Sequence, residues 1–114
     1  MARTLDFNTL AQPTLEMVMR DEKKTHINVT APSYELLEKL EANMTSITDA
    51  CKKKDIKSLQ VGYDLAAELV SCNMEGIKVT GQELREKYGV DYTLLFAFLI
   101  AYMDFINDIK QAKN

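Results

Sequence analysis

His26 is the single histidine of this 114-residue chain. It lies in the alternating segment His26–Thr30 (His-Ile-Asn-Val-Thr), where it reads as a partly exposed strand residue, and no neighbouring serine or cysteine marks a Ser/His/Asp or Cys/His arrangement around it. Asp104 and Asp108 stand one helical turn apart and could share a cation, but two carboxylates supply too few oxygen ligands for Mg²⁺ or Ca²⁺. Glu35, Glu38, Glu41 and Glu68 occupy polar positions of helical patterns, and a solvated face accounts for them. Cys51 and Cys72 fall in helical patterns as small apolar residues, and two thiols without nearby histidines are too few for structural zinc. The four glycines are scattered at 62, 76, 81 and 89 and form no phosphate loop. These residues predict no catalytic site, no cofactor and no metal; the expected function is binding.

The bulk properties narrow the partners. The net charge is −3 with a pI near 5.1, whereas a nucleic-acid binder needs a basic face to displace counterions. The one basic run, Lys52-Lys53-Lys54, reads as a solvated turn following a helix C-terminus. No signal peptide or targeting core is visible at the N-terminus, so a reducing cytoplasm is expected. Residues 94–103 (Leu-Leu-Phe-Ala-Phe-Leu-Ile-Ala-Tyr-Met) are apolar without interruption. That run is about half of the ~20 residues that span a bilayer, so a membrane span is rejected and neither nucleic acid nor membrane is expected as a partner.

The elements that must position these residues make a mainly α (α+β) chain: an N-terminal β-hairpin followed by a four-helix domain, with three long helices and one short. The whole of 1–114 is expected to form one domain, with the arm and hairpin in 1–30 and the helical part in 31–114. Residues 1–14 read as an arm or loop. Residues 15–19 and 26–30 alternate as strands around the charged turn 20–24, and a strand edge there offers a place for another chain to add. Thr30 or Ser33 caps the first helix, with Pro32 in its first turn; Leu36, Leu37, Leu40, Met44, Ile47 and Cys51 recur along it at helical spacing. Asp55 caps the second, whose stripe is Ile56, Leu59, Tyr63, Ala66 and Val70, with Gly62 admitting a close neighbour and residues 73–76 ending it. Thr80-Gly81-Gln82-Glu83 is a capping box opening a short helix through Leu84 to Tyr88, closed by Gly89. Asp91 caps the last helix, which runs to about Gln111.

On the last helix, Leu94, Leu95, Phe98, Leu99, Tyr102, Phe105, Ile106 and Ile109 fall within a sector of roughly 140°, the expected core face. The opposite face is polar towards its C-terminal end but carries Phe96, Ile100 and Met103 near its start. Two readings stand for these three. Either the hairpin or the short third helix folds over them, or they form an exposed patch for self-association or for a partner helix.

The order of segments also resembles a known family. The carrying residues are Arg3-Thr4-Leu5-Asp6-Phe7-Asn8-Thr9-Leu10, Pro13-Thr14-Leu15-Glu16, a strand ending Val29-Thr30-Ala31-Pro32, two amphipathic helices, and Phe98-Leu99-Ile100-Ala101-Tyr102-Met103-Asp104-Phe105-Ile106. Across nearly its whole length the chain resembles the small tail assembly chaperones of long-tailed (siphovirus-type) phages and prophages of Gram-positive bacteria. The resemblance implies a non-enzymatic protein of the bacterial host cytoplasm. Its partner would be the tape measure protein, or another phage tail protein, kept soluble during tail morphogenesis, and homo-oligomerisation would be possible. Alternatives are a structural tail component retained in the particle, or a small helical regulatory or protein-interaction domain. Partner binding by Phe96, Ile100 and Met103 follows from the helix pattern and not from a family motif.

Overall fold

A computed structural model describes residues 13–53 and 56–111. β1 (Thr14–Val18) and β2 (His26–Thr30) form a two-stranded antiparallel sheet, with Leu15 opposite Val29 and Met17 opposite Ile27. Four helices follow: α1 (Tyr34–Lys53), α2 (Ile56–Val70), α3 (Gly81–Glu86) and α4 (Tyr92–Gln111). This is the expected mainly helical α+β architecture, three long helices and one short behind a hairpin. The first strand is shifted one residue towards the N-terminus of its expected span, although the Met19 amide still donates to the Thr25 carbonyl at 2.8 Å. Residues 1–12 of the expected arm and the Asp55 cap lie outside the described residues, and Thr14, placed in the arm by the sequence, belongs to β1.

The hairpin turn has no Asn-Gly pair, and Asp21 does the work instead. Its carboxylate accepts from the Thr25 amide at 2.8 Å and from the Thr25 hydroxyl, while Lys24 takes a left-handed conformation (φ 49°). These hydrogen bonds, the hydroxyl's foremost, hold the Asp21 carboxyl below its ordinary pKa. Ile27 and Val29 on β2 are fully buried, and Leu15 and Met17 on β1 pack beside them; Glu16, Val18 and His26 face outward.

The outer edge of β2 is closed by the segment following α2. Thr30 donates its amide to the Cys72 carbonyl (2.8 Å), Met74 donates to the Asn28 carbonyl (3.1 Å), and the Glu75 carboxylate accepts from both the amide (2.8 Å) and the side-chain nitrogen (2.7 Å) of Asn28. Asn73 ties the same segment together: its side-chain nitrogen donates to the Val70 and Ile77 carbonyls, and its oxygen accepts from the Ile77 amide. Thr30 therefore belongs to the sheet, its hydroxyl donating to Cys72 as well. Ser33 is the residue that caps α1, accepting from the Leu36 amide at 3.2 Å, which leaves Pro32 ahead of the cap and not in the first turn.

α2 is the hub. It packs against α1, α3, α4 and β2, and Tyr63, Leu65, Ala66, Ala67, Leu69 and Val70 are all buried. A β-carbon placed on Gly62 would lie 3.0 Å from Ile47 Cγ2 of α1 and 3.3 Å from Leu95 Cδ2 of α4, so the glycine sits where three helices converge. α3 opens with the capping box: the Glu83 amide donates to Thr80 Oγ1 (3.1 Å) and the Thr80 amide to Glu83 Oε1 (3.1 Å). It ends two residues earlier than expected, at Glu86, and the chain then turns through Gly89 (φ 63°) while the Val90 amide reaches back to the Leu84 carbonyl. The Tyr63 hydroxyl donates to the Val90 carbonyl at 2.6 Å and fixes this turn on α2.

Candidate functional site

α4 is started by Asp91, whose Oδ1 accepts from the Leu94 amide at 2.9 Å. Leu95, Leu99, Tyr102, Phe105 and Ile106 are buried, whereas Leu94, Phe98 and Ile109 of the expected core face are half-buried. The buried arc runs from Phe105 to Leu99, with Phe98 and Ile109 inside it and packed on the core and Leu94 at its edge. On one flank, Leu94 and Phe98 meet β1 across an apolar cleft of about 160 Å³, whose other walls include Met17, Met19, Leu84 and Tyr88.

Phe96, Ile100 and Met103 are separated by the structure into two kinds of position. Phe96 and Met103 lie on the flank of the buried arc away from Leu94 and Phe98, half-buried and packed on the core. Ile100, some 40–60° further round the helix, is 45% exposed. β1 and α3 meet the opposite flank at the cleft, so neither the hairpin nor the short helix lies over Ile100. Exposed Ala97 and Ala101 stand beside Ile100, and the exposed side turns polar one helical turn later at Asp104, Asn107 and Asp108. The outward strip near the start of α4 is therefore small and apolar, and a second helix could approach it closely.

Tyr102 is enclosed between Phe98 and Phe105, with ring centroids 5.6 and 5.9 Å away. Its hydroxyl is buried with no hydrogen-bond partner among the described residues, and burial pushes the phenol well above its ordinary pKa. We assign it no chemistry.

The remaining chemistry-bearing residues stay apart. His26 is exposed, its Nδ1 3.7 Å from the Glu16 carboxylate across the sheet. Asp104 and Asp108 are exposed, and among the described residues no group of three or more His, Cys, Asp or Glu side chains could hold a metal ion. Cys72 is a half-buried free thiol in the turn beyond α2, not inside the helix as its pattern suggested, and it donates to the Glu68 carbonyl at 3.5 Å. The Cys51 side chain lies outside the described residues.

The ten-residue apolar count understates the length of α4. By length and composition alone, Tyr92–Ile109 could cross a membrane, with a mean hydropathy of 1.4. In the fold, however, Leu95, Leu99 and Tyr102 are fully enclosed by protein, and two carboxylates stand on the outward side.

Sequence reasoning missed the cleft beside β1. Its signal is present in Met17 and Met19, both on the inner side of the hairpin, but their meeting with Leu94 and Phe98 depends on tertiary placement. No family model, curated protein or solved structure matches the chain.

Proposed function

We propose that this protein is a phage tail assembly chaperone, a non-enzymatic binding protein that holds the tape measure protein in soluble form in the bacterial cytoplasm. The observation that carries the reading is the outward strip of α4. Ile100 is 45% exposed, flanked by half-buried Phe96 and Met103 and by exposed Ala97 and Ala101. A long helical client with an apolar stripe needs such a surface, into which its side chains pack at helical spacing. Phe and Met suit the centre of an interface of this kind. The order of segments, hairpin first and apolar helix last, supports the same reading through the resemblance described above. Neither a cofactor, nor nucleic acid, nor a membrane is part of the proposed activity.

The test is co-expression with the tape measure protein encoded alongside. The wild-type chain is expected to shift the client into the soluble fraction, and Ile100→Asp, a change at an exposed position, to abolish that shift while the chaperone stays folded. A client that remains insoluble with wild-type protein overturns the reading. So does mass spectrometry finding the protein as a stoichiometric component of finished particles, which would identify a structural tail component.

A further inference from the structure

The segment that closes the outer edge of β2 is held in two separate ways. Its base is tied to itself. Asn73 donates its side-chain nitrogen to the Val70 and Ile77 carbonyls (2.7 and 2.8 Å) and accepts from the Ile77 amide at 3.0 Å. The Ser71 hydroxyl accepts from the Val79 amide and donates to the Val79 carbonyl. None of these bonds involves β2. Between Asn73 and Ile77 stands a tip of three exposed residues, Met74, Glu75 and Gly76. Met74 is 65% exposed, and Gly76 takes a left-handed conformation (φ 72°). The hydrogen bonds from this tip to β2 converge on Asn28. Met74 donates to its carbonyl at 3.1 Å, and the Glu75 carboxylate accepts from its amide at 2.8 Å and from its side-chain nitrogen at 2.7 Å.

Two of those three bonds depend on one charge. A carboxylate only accepts, and both groups aimed at it are N–H donors; a proton on Glu75 turns one oxygen into a donor facing a donor. Charge-assisted hydrogen bonds are roughly twice as strong as neutral ones, so a neutral Glu75 holds an exposed tip poorly against water. The Asn28 side chain foremost, and then its amide, keep the Glu75 carboxyl below its ordinary pKa. Closure is therefore complete above the ordinary glutamate value of about 4.3 and is lost as pH falls through the lowered one. The other titratable groups on this face of the hairpin are Glu16, opposite Asn28 on β1, and His26 on β2, 3.7 Å from each other. On α2, Glu68 is paired with Lys39. In the closing segment the Cys72 thiol points to the Glu68 carbonyl, and Lys78 follows the tip. Among the described residues no cation lies within ion-pair distance of Glu75.

We propose that Met74, Glu75 and Gly76 form a proton-released latch on the sheet edge: the Glu75 carboxylate holds it shut, and taking up a proton lets the tip lift off Asn28 while the Asn73 base stays tied. Release bares the outward N–H and C=O of Asn28 to water. Thr30 keeps its bonds to Cys72, and Ile27 and Val29 stay buried, so the hairpin itself remains on α2. The inference is independent of any client bound at Ile100.

An NMR titration of the full-length protein between about pH 7 and 3 tests it, with the Glu75 side-chain carboxyl followed directly. The Asn28, Met74 and Gly76 amide shifts are expected to move together, with one midpoint below about 4.3. They should reach the positions that Glu75→Ala shows already at pH 7. The Asn73 and Ile77 amides, and those of buried Leu69 and Leu99, are expected to stay in place through that midpoint. Glu16→Gln should leave the transition intact. Met74 and Gly76 amides that do not move while Glu75 titrates overturn the proposal, since the clasp then survives its proton by a flip of the Asn28 amide. Asn73 and Ile77 moving with the tip overturn it too, because the whole segment then dissolves. So do core amides that shift at the same midpoint, which would mean global acid unfolding, and a transition that Glu16→Gln abolishes.

Discussion

α2 and α4 invert what their sequences suggest. α4 carries the uninterrupted apolar run, yet one side of it faces water at Ala97, Ile100, Ala101 and Asp104. α2 is interrupted by Gly62, Asp64 and Glu68, yet it is the helix that three others and a strand surround. The difference lies in side-chain size. Gly62, Ala66 and Ala67 make α2 thin, so neighbours pack close on several sides at once, whereas the Phe and Leu residues of α4 fill one deep arc and leave the rest uncovered. A long apolar run therefore marks surplus surface as readily as it marks a centre, and the surplus is where a partner is to be sought.

The largest expected effects come from emptying the shared core. Leu69→Ala in α2 and Leu99→Ala in α4 each remove a fully buried side chain and should cost about 2–5 kcal/mol. Urea unfolding should show a lowered midpoint with an unchanged slope. If α2 is the hub, Leu69→Ala lies at the upper end; the reverse order would break the comparison.

Overfilling the thin helix's contacts comes next. A β-carbon on Gly81 would stand 2.5 Å from Asp64 Oδ1 and 3.2 Å from the α2 backbone, so Gly81→Ala should cost about 1–3 kcal/mol, read as a fall in Tm. Gly62→Ala meets the stiff, branched side chain of Ile47 at 3.0 Å. Its net loss should be smaller, because about 1 kcal/mol of helix propensity is returned.

Two buried tyrosines, one on each of these helices, sharpen the contrast further. Tyr63→Phe in α2 removes the hydrogen bond to Val90 and should cost about 0.5–1.5 kcal/mol. Tyr102→Phe in α4 removes a buried hydroxyl with no partner among the described residues and should leave stability unchanged or raise it. The same pair of proteins gives a pH signature. Burial raises the Tyr102 pKa in the folded state, so the unfolded chain loses its proton first. The contribution of neutral Tyr102 is therefore complete below pH about 10 and declines as pH rises above it. Unfolding curves between pH 9 and 11 should show a wild-type decline that is shallower in Tyr102→Phe.

The smallest effect is expected at the exposed strip. Ile100→Asp should change stability by no more than about 0.5 kcal/mol, whereas Phe96→Asp and Met103→Asp, which press on the core, should be plainly destabilising. Circular dichroism melts of the three variants check this ordering and establish which of them is fit for binding experiments.

Features written in short stretches of sequence were legible. The Thr80–Glu83 capping box, the Asp91 cap, the close approach at Gly62 and the exposed place of His26 all depend on a few neighbouring residues. What was not legible joins distant segments. Nothing local to Cys72 or Glu75 announces that they close the edge of β2, and Thr30 offers the same hydroxyl to a helix cap as to a sheet. The separate surroundings of Phe96, Ile100 and Met103 were likewise beyond the reach of local pattern. Helical spacing places all three on one side, but the width of the buried arc is set by the neighbouring elements, and it leaves Ile100 out while taking in the edges of the other two.

The clasp between Asn28 and Glu75 spans 47 residues of chain. A two-stranded hairpin is marginal in water by itself, so this one acquires its stability only after α2 and the turn beyond it are in place. The hairpin and the end of α2 should consequently melt as one cooperative unit despite their distance in sequence. A fragment ending after α1 should contain no hairpin at all. For so helical a chain, this late non-local closure should also make folding slower than in a simple helical bundle, where most contacts are between neighbours in sequence.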